Sequence, residues 1–468
     1  MSIPQPDDNS ERPYDEIIDL IVNYVYDYEV VSKPALARSK LALIDSLGVA
    51  IESLARSKEC TALVKPILEG ATSVPGGFRL PGTSYSLDLL QGAFNMGAMI
   101  RYLDHNDAFA GAEWGHPSDN LGAILATADV LTREALAKGN KDGIITIKTV
   151  LISLIKAYEI QGVFQIRNAF NRVGLDHTIL VKVGSTAVVS WMMGLDRAQR
   201  GPAQGLGRGR RLHARRPPRR VGAGGTAGHP HPLTAARWGF YEVLNKNQGF
   251  QLPQPFGTWV VENVIFKVLT AEGHGLTAVE AAMTASKELQ KRNLDPLVDI
   301  KSIRVRVQEA AMIIINKRGS LNNAADRDHC LRYMLAVVLL KNGVEVETED
   351  YQDDSPWATD ARVEKLRSLI SMEEDPQMTR DYHNPEIRSV GSAIEIFLKD
   401  GSTVKTWQDF PLGHPARGDE TDPMVRQKAV RNLGLMFSKE EVDRIMNTFD
   451  KPDFESMPTS EYIDLFSK

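Results

Sequence analysis

The 468-residue chain has little cysteine: Cys60 and Cys330 are its only two, and most of the sequence separates them. Two thiols are too few for a disulfide framework or for the three or four thiolates an iron–sulfur cluster usually takes, and their separation forms no metal knuckle. No stretch approaches the roughly 18 consecutive apolar residues of a membrane span. Nor is there an excess of basic charge, since 55 Lys and Arg stand against 60 Asp and Glu for a net charge of −5. That balance offers no general attraction to nucleic acid or to an anionic membrane surface. The opening residues, MSIPQPDDNSERPYDE, are acidic and Pro-rich where a transit peptide would be Arg-rich, and Phe466-Ser467-Lys468 lacks the final Leu of a peroxisomal tripeptide. The expectation is a cytoplasmic or mitochondrial-matrix location with no visible targeting segment, and no membrane or nucleic-acid partner. What is present, 43% hydrophobic and 25% charged residues, is an ordinary globular composition with length for two or three domains.

One block does not match the rest. From Arg197 to Tyr241 there is no Asp or Glu, and Arg200–Arg220 holds eight Arg and no Lys. Without Arg200–Arg237 the remaining chain carries 46 basic and 60 acidic residues. A basic block of this kind could be an RNA-binding arm on an enzyme-like scaffold, but it has no aromatic before Trp238 to stack on a base and no helical or strand period. Arg, Gly, Pro and Ala are also what a GC-rich gene yields out of frame. With GC-rich codons, Pro202–Arg216 read one base later can spell PRKGWAAGDACTRA, with Lys, Asp and Trp restored. Residues 198–236 are therefore expected to be a frameshifted or mis-spliced segment that leaves the chain poorly folded or weakly active.

Elsewhere the apolar spacing is informative. Tyr14–Tyr28, Pro34–Leu54, Leu87–Leu103, Asn120–Glu134, Ile145–Gln161 and Thr178–Leu195 carry helical periodicity, with small residues Gly92, Ala93 and Gly97 available for close helix contacts. After Phe266 the pattern changes. Ile300–Gln308 alternates as a strand, and Ser392–Trp407 reads as two strands around an Asp400-Gly401 turn, with helices Thr277–Gln290 and Asp328–Leu340 in the same stretch. Asp422–Phe449 returns to helix. The predicted fold class is mainly α with a smaller α+β part: an all-helical domain built from both chain ends, 1–266 and 421–468, plus an inserted α+β lid domain, 267–420.

The polar residues concentrate in RYLDHND (101–107) and EWGHPSDN (113–120), where two His, several acids and Arg101 surround a helix break. Ser118 or Asp119 would serve as an N-cap for the following helix. His105, Asp107 and His116 are metal-ligand types, yet their spacing matches no ligand motif. Metal-free proton transfer by His and carboxylate is the alternative, with burial tuning their pKa values. Further clusters are Asp176-His177-Thr178, where Asp176 could equally be a cap, Lys267 with Glu272-Gly273-His274, and Asp326-Arg327-Asp328-His329 ahead of Tyr333. Gly413-His414-Pro415 sits on the return crossing.

Taken together, ALIDSLGVAI (42–51), LPGTSYSLDLLQGAFNMGAMIRYLDHNDAF (80–109), EWGHPSDNLGAILA (113–126), LDHTILVKVGSTA (175–187), AEGHGLTAVEAA (271–282), ADRDHCLRYMLAVVLL (325–340) and FPLGHPARGDE (410–420) resemble the MmgE/PrpD family. The resemblance covers nearly the whole chain outside 198–236. It implies a homodimer with an active site between the helical domain and the lid. It also implies loss of water from 2-methylcitrate to 2-methyl-cis-aconitate in propionate catabolism, without an iron–sulfur cluster or other cofactor. The family's decarboxylation of cis-aconitate is the runner-up. Carried over residue by residue, the resemblance implies catalytic Asp104, His116, His177, Lys267 and His274. Arg101, Asp107, Ser118, Tyr333 and His414 are the expected contacts to a small tricarboxylate, and no metal ligands are expected. This chain departs from the family at Ala108, where Thr is frequent, and at Thr270, where Pro is frequent. It also lacks an active-site Lys that the family carries in the segment PRKGWAAGDA.

Overall fold

The computed structural model describes residues 14–66, 73–195, 231–246, 248–384 and 386–468. The first 13 residues and 198–230 of the anomalous block lie outside the described residues. The expectations of a displaced frame and an absent lysine lie there with it; the expectation of a poorly folded or weakly active chain is not borne out, and the described residues form two large buried cores. Its last residues, 231–236, are described: the Leu233 amide donates to Asp15 Oδ2 at 2.8 Å and the Thr234 hydroxyl bonds the other oxygen of the same carboxylate.

The first half is helical as its periodicity requires. Its long helices are α1 (Glu16–Asp27), α2 (Lys33–Arg56), α3 (Leu89–Arg101), α4 (Leu121–Ala137), α5 (Ile147–Gln165) and α6 (Thr178–Met192). Ser32 caps α2 by accepting from the Ala35 amide, and Pro34 stands in its first turn, where a missing N–H costs nothing. From Leu41 to Leu54 α2 is buried on every side, as is most of α5, so these two form the centre against which the amphipathic helices lie. The small residues act as expected between α3 and α4: a Cβ on Gly122 would lie 2.6 Å from the Gly97 nitrogen and 2.9 Å from the Ala93 oxygen.

The chain end returns to this core as α11 (Thr421–Leu433) and α12 (Lys439–Phe449), after α7 (Leu276–Lys291), α8 (Leu331–Leu340), α9 (Ala361–Leu369) and α10 (Pro376–His383) of the intervening part. Asp422–Phe449 is helical as expected, in two helices. α11 ends at Gly434, and Ser438 with Glu441 forms a capping box that starts α12. The intervening part carries a four-stranded sheet, β1 (Ile300–Val307), β2 (Ile370–Glu374), β3 (Ser392–Leu398) and β4 (Thr403–Gln408), in the order β2-β1-β3-β4. β1 pairs parallel with β2, Val305 opposite Met372, and antiparallel with β3, Val305 opposite Ile394. β2 is too short and too acidic, ISMEE, to stand out in the sequence.

Buried apolar residues form a large core drawn from 30–268 and 425–466, a separate one from 269–404, and a small cluster where α1, α5 and α6 meet. The polypeptide crosses between the two main cores near Val268 and near Leu412, which touches both. No helix among the described residues is long and apolar enough to cross a membrane. Cys60 and Cys330 are both buried and free.

Candidate active site

The site is assembled by a chain reversal at the end of α3. Asp104 has a positive φ of 58°, a left-handed conformation that Asp tolerates better than most residues and that the tertiary contacts around it must hold. The turn aims its carboxylate back at Arg101, 2.5 Å away on the last turn of the helix. Beyond it, Ala108 and Ile265 exchange both backbone hydrogen bonds, at 2.9 and 2.8 Å. That pairing carries Lys267 alongside the turn. Its ammonium, on a side chain only 2% exposed, donates to Asp104 Oδ1 and to the Asp104 carbonyl, both at 2.7 Å. The return crossing supports this strand, since Gly413, with φ 86°, lies so close that a Cβ there would fall 1.9 Å from the Phe266 oxygen.

His116 comes back to the turn through the Phe109–Gly115 bridge. Its Nδ1 lies 2.7 Å from the Asp107 carbonyl, which can only accept, so Nδ1 carries the proton and Nε2 presents its lone pair 3.5 Å from Asp104 Oδ1. Burial, then the Arg101 and Lys267 charges, hold the His116 pKa well below the usual histidine value. Burial alone would raise the Asp104 carboxyl, but Lys267, Arg101 and His116 together hold it well below the carboxylate range. The His177 ring stands edge-on to His116, with centroids 5.5 Å apart, and its Nε2 is buried without a hydrogen-bond partner. Burial lowers this histidine too. The nearby Asp119, hydrogen-bonded by the Asn106 amide at 2.9 Å, is pushed up to about 7 by burial against the pull of Arg101.

On the facing side, Glu272 Oε1 lies 2.9 Å from His274 Nδ1, and Glu272 Oε2 accepts the His274 amide at 2.9 Å. Burial raises the Glu272 carboxyl, but His274 and Lys267 bring it below its ordinary value. His274 Nε2 lies 3.1 Å from the Tyr382 hydroxyl, and its ring packs on Trp114 with centroids 4.5 Å apart. Trp114 belongs to the 113–120 loop, so the histidine of one part rests on an aromatic of the other. Asp104 and Glu272 share the wall of a cleft of about 670 Å³, together with Tyr102, Asp328 and His329.

Asp104, His116, His177, Lys267 and Arg101 are thus brought together, and His274 reaches the same junction through Glu272 and Trp114. Asp107 and Ser118 stand behind them. The Asp107 carboxyl receives the Tyr158 hydroxyl at 2.7 Å and the Ser118 amide at 3.1 Å, burial pushes it up to about 6, and the Ser118 hydroxyl accepts from Asn106 at 2.8 Å. The structure does not bring Tyr333 or His414 to the cluster. Tyr333 is 1% exposed within the second core and gives its hydroxyl to the Asp350 carbonyl at 2.6 Å. His414 accepts the Ala416 amide at 3.0 Å and lies against Phe410.

The possible grouping of His105 with Asp107 and His116 as metal ligands is undone by geometry. His105 turns to Glu52, 3.1 Å away, and among the described residues no group of three or more His, Cys, Asp or Glu is placed to hold a metal ion. Neither Ser118 nor Asp119 caps α4, whose N-cap position is Asn120 and which has no side-chain cap. Asp176 does accept the Thr178 amide, at 2.9 Å. Tyr382 carries no sequence signal, since the helix it sits on, PQMTRDYH, is polar throughout and far from any motif. Trp114 and Glu272 were visible only as neighbours of the histidines in EWGH and AEGH.

A mainly helical protein with a second α+β core, and a cation-flanked carboxylate and histidines where the two meet, is the class that fold and site define. Residues 19–207 match the MmgE/PrpD N-terminal domain and residues 270–451 the MmgE/PrpD C-terminal domain. The chain is 58% identical to the 2-methylcitrate dehydratase-like protein oryR of Aspergillus oryzae, over 100% of this chain and 98% of that one. It is 44% identical to the 2-methylcitrate dehydratase of Salmonella typhimurium, over 96% and 97% of the two chains, and 42% identical to the alkylcitrate dehydratase phiI of a fungal species, over 97% and 94%. The chain belongs to the MmgE/PrpD family.

Proposed function

We propose that this chain is a hydro-lyase that eliminates water from 2-methylcitrate to give 2-methyl-cis-aconitate, the reaction expected of a 2-methylcitrate dehydratase in propionate catabolism. The observation that carries the reading is the placement of His116 Nε2 3.5 Å from an Asp104 carboxylate that Lys267 and Arg101 flank. The dehydratase names of the relatives favour water loss over decarboxylation and over a non-catalytic RNA-binding scaffold.

His116 takes the proton from the carbon beside a substrate carboxylate. The electron pair of that C–H bond forms the new double bond as the C–O bond to the hydroxyl breaks, and the hydroxyl departs as water with a proton from His274. Glu272, kept ionised, holds the Nδ1 proton of His274, so the proton that leaves comes from Nε2, which Tyr382 positions. Lys267 and Arg101 neutralise the substrate's carboxylates, and His177 shares the proton traffic of His116. Asp107 and Ser118 act behind the site, holding the carbonyl that sets the His116 tautomer. No protein-bound cofactor takes part.

We place the domain boundaries at 266/267 and 420/421, a division that the two separate main cores support. We further propose a homodimer without nucleic-acid partners, in the cytoplasm or the mitochondrial matrix; sedimentation at micromolar protein tests the dimer. The function is tested by following the unsaturated acid formed from 2-methylcitrate, citrate and longer 2-alkylcitrates with a chelator present. Turnover of 2-methylcitrate with no release of carbon dioxide supports the reading; carbon dioxide release, or RNA binding without turnover, overturns it.

A further inference from the structure

The α+β part holds a second group of cations that the proposed chemistry does not use. Arg318, Arg332 and Arg367 line an open depression of about 930 Å³ with Ser320, Ser368 and Ser371. Arg332 and Arg367 are each only 7% exposed. Arg332 donates to carbonyls alone, from Nε to Ile370 at 3.0 Å and from one terminal nitrogen to Lys317 at 3.2 Å, and no carboxylate among the described residues pairs with it. Arg367 gives one nitrogen to Glu364 and another to the Gly319 carbonyl at 3.1 Å, while its buried Nε has no hydrogen-bond partner. Arg318 is exposed at the rim, unpaired among the described residues. Three positive charges therefore share one acid, Glu364, whose side chain is 65% exposed to water.

A guanidinium buried without a counter-charge is costly, and like charges beside it add to the cost. Arg332 shows both effects, its pKa lowered first by burial and then by Arg318 and Arg367. A bound oxyanion would relieve all three. It would accept from Arg318 at the rim and from the Arg332 terminal nitrogen that neither carbonyl takes, with the Arg367 charge behind them and the serine hydroxyls completing the contacts.

The position gives such an anion something to control. The chain running from Lys317 to His329 has Arg318–Leu321 on this depression and Asn323–Ala325, Asp328 and His329 on the cleft that Asp104 and Glu272 share. Its two ends are tied by Lys317, which pairs with Asp326 at 3.0 Å and whose carbonyl receives Arg332. We propose that the Arg318, Arg332 and Arg367 depression is a second anion site, separate from the candidate active site, that takes a small polyvalent oxyanion and stiffens the 317–329 wall of the cleft.

The test uses the full chain and the variant R318E, which reverses a rim charge without entering the core. Thermal unfolding and titration calorimetry are run with pyrophosphate and with tricarballylate, at constant ionic strength against chloride, while hydrogen exchange of the 317–329 peptides is followed. Expected is a rise in melting temperature with at least one anion, affinity at least tenfold weaker in R318E, slower exchange of 317–329 on binding, and unchanged melting of the two unliganded proteins. If R318E weakens only pyrophosphate, the ligand is phosphate-bearing; if only tricarballylate, it is a polycarboxylate. Equal responses of the two proteins to every anion, or no response beyond chloride, would overturn the site. Binding without protection of 317–329 would overturn its link to the cleft.

Discussion

Asp104 and His105 are neighbours in sequence, yet they enter two different buried charge networks. On one side, Lys428 meets Asp45 and the His105 carbonyl, both at 2.7 Å, while Glu52 receives His105 at 3.1 Å, Asn432 at 2.9 Å and the Thr348 hydroxyl at 3.1 Å. On the other, Asp104 lies among Lys267, Arg101 and His116. Both combine an aspartate, a lysine and a histidine. What differs is closure: the Lys428 and Asp45 side chains are 4% and 1% exposed and matched one to one, whereas Arg101 and Asp104 are 33% and 26% exposed. The second network has two cations for the one Asp104 carboxylate, and the His177 Nε2 beside it is buried without a partner. A structural network pairs off its charges; a site for a tricarboxylate must leave some unpaired.

The sharpest break in that comparison is His116→Ala. It should lower turnover of 2-methylcitrate by about 10²–10⁴-fold, the usual worth of a positioned proton carrier, with circular dichroism unchanged. Its counterpart is Lys428→Met, which strands the buried Asp45 carboxyl. Removing one partner of a buried ion pair costs about 3–5 kcal/mol, so denaturant unfolding should shift by that much while kcat per folded molecule stays the same. If Lys428→Met removed activity from folded protein, the closed network would belong to the site and the distinction would fail.

Acid sharpens it further. Burial raises the Glu52 carboxyl, but His105 and Lys428 bring it down to about 2 in the fold. A depressed carboxylate stabilises the fold fully above its unfolded pKa of about 4.3, and that contribution is lost as pH falls from there toward 2, because the unfolded chain takes up the proton first. Glu52→Gln should therefore flatten the loss of stability across that window, by an amount on the order of 3 kcal/mol, measured by urea unfolding at stepped pH. An unchanged acid slope would mean that other carboxylates govern it.

Much of this was legible in the sequence, for physical reasons that also mark where legibility stopped. Helical spacing in α2 and α5 is strong because both are buried for most of their length, and the small residues facing Gly122 follow from close helix packing. The polar constellation at 101–120 pointed to the right place, but spacing alone gave His105 and His116 equal standing. Only the reversal at Asp104 and the Phe109–Gly115 bridge send them to opposite networks. Tyr333, on the apolar helix that the Asp326–His329 cluster precedes, was expected at the substrate; its ring enters the second core instead. Tyr382 was out of reach, since it meets His274 across 108 residues of chain.

That last contact supplies the smallest expected effect, at the histidine that the α+β part contributes. Tyr382 stacks on Trp114 with rings 6.3 Å apart and nearly parallel, so Tyr382→Phe keeps the packing and removes only the hydroxyl at His274 Nε2. Burial and then Glu272 push the phenol above its ordinary pKa, so the hydroxyl keeps its proton and acts by positioning the ring. A net neutral hydrogen bond is worth about 0.5–1.5 kcal/mol, which corresponds to a loss of roughly 2–12-fold, expected in kcat with KM nearly constant. A loss as large as that of His116→Ala would instead make Tyr382 the donor to the departing hydroxyl. The partnered histidine would then be the scaffold, and the rule that unpaired groups mark the chemistry would hold for the helical side of the cleft alone.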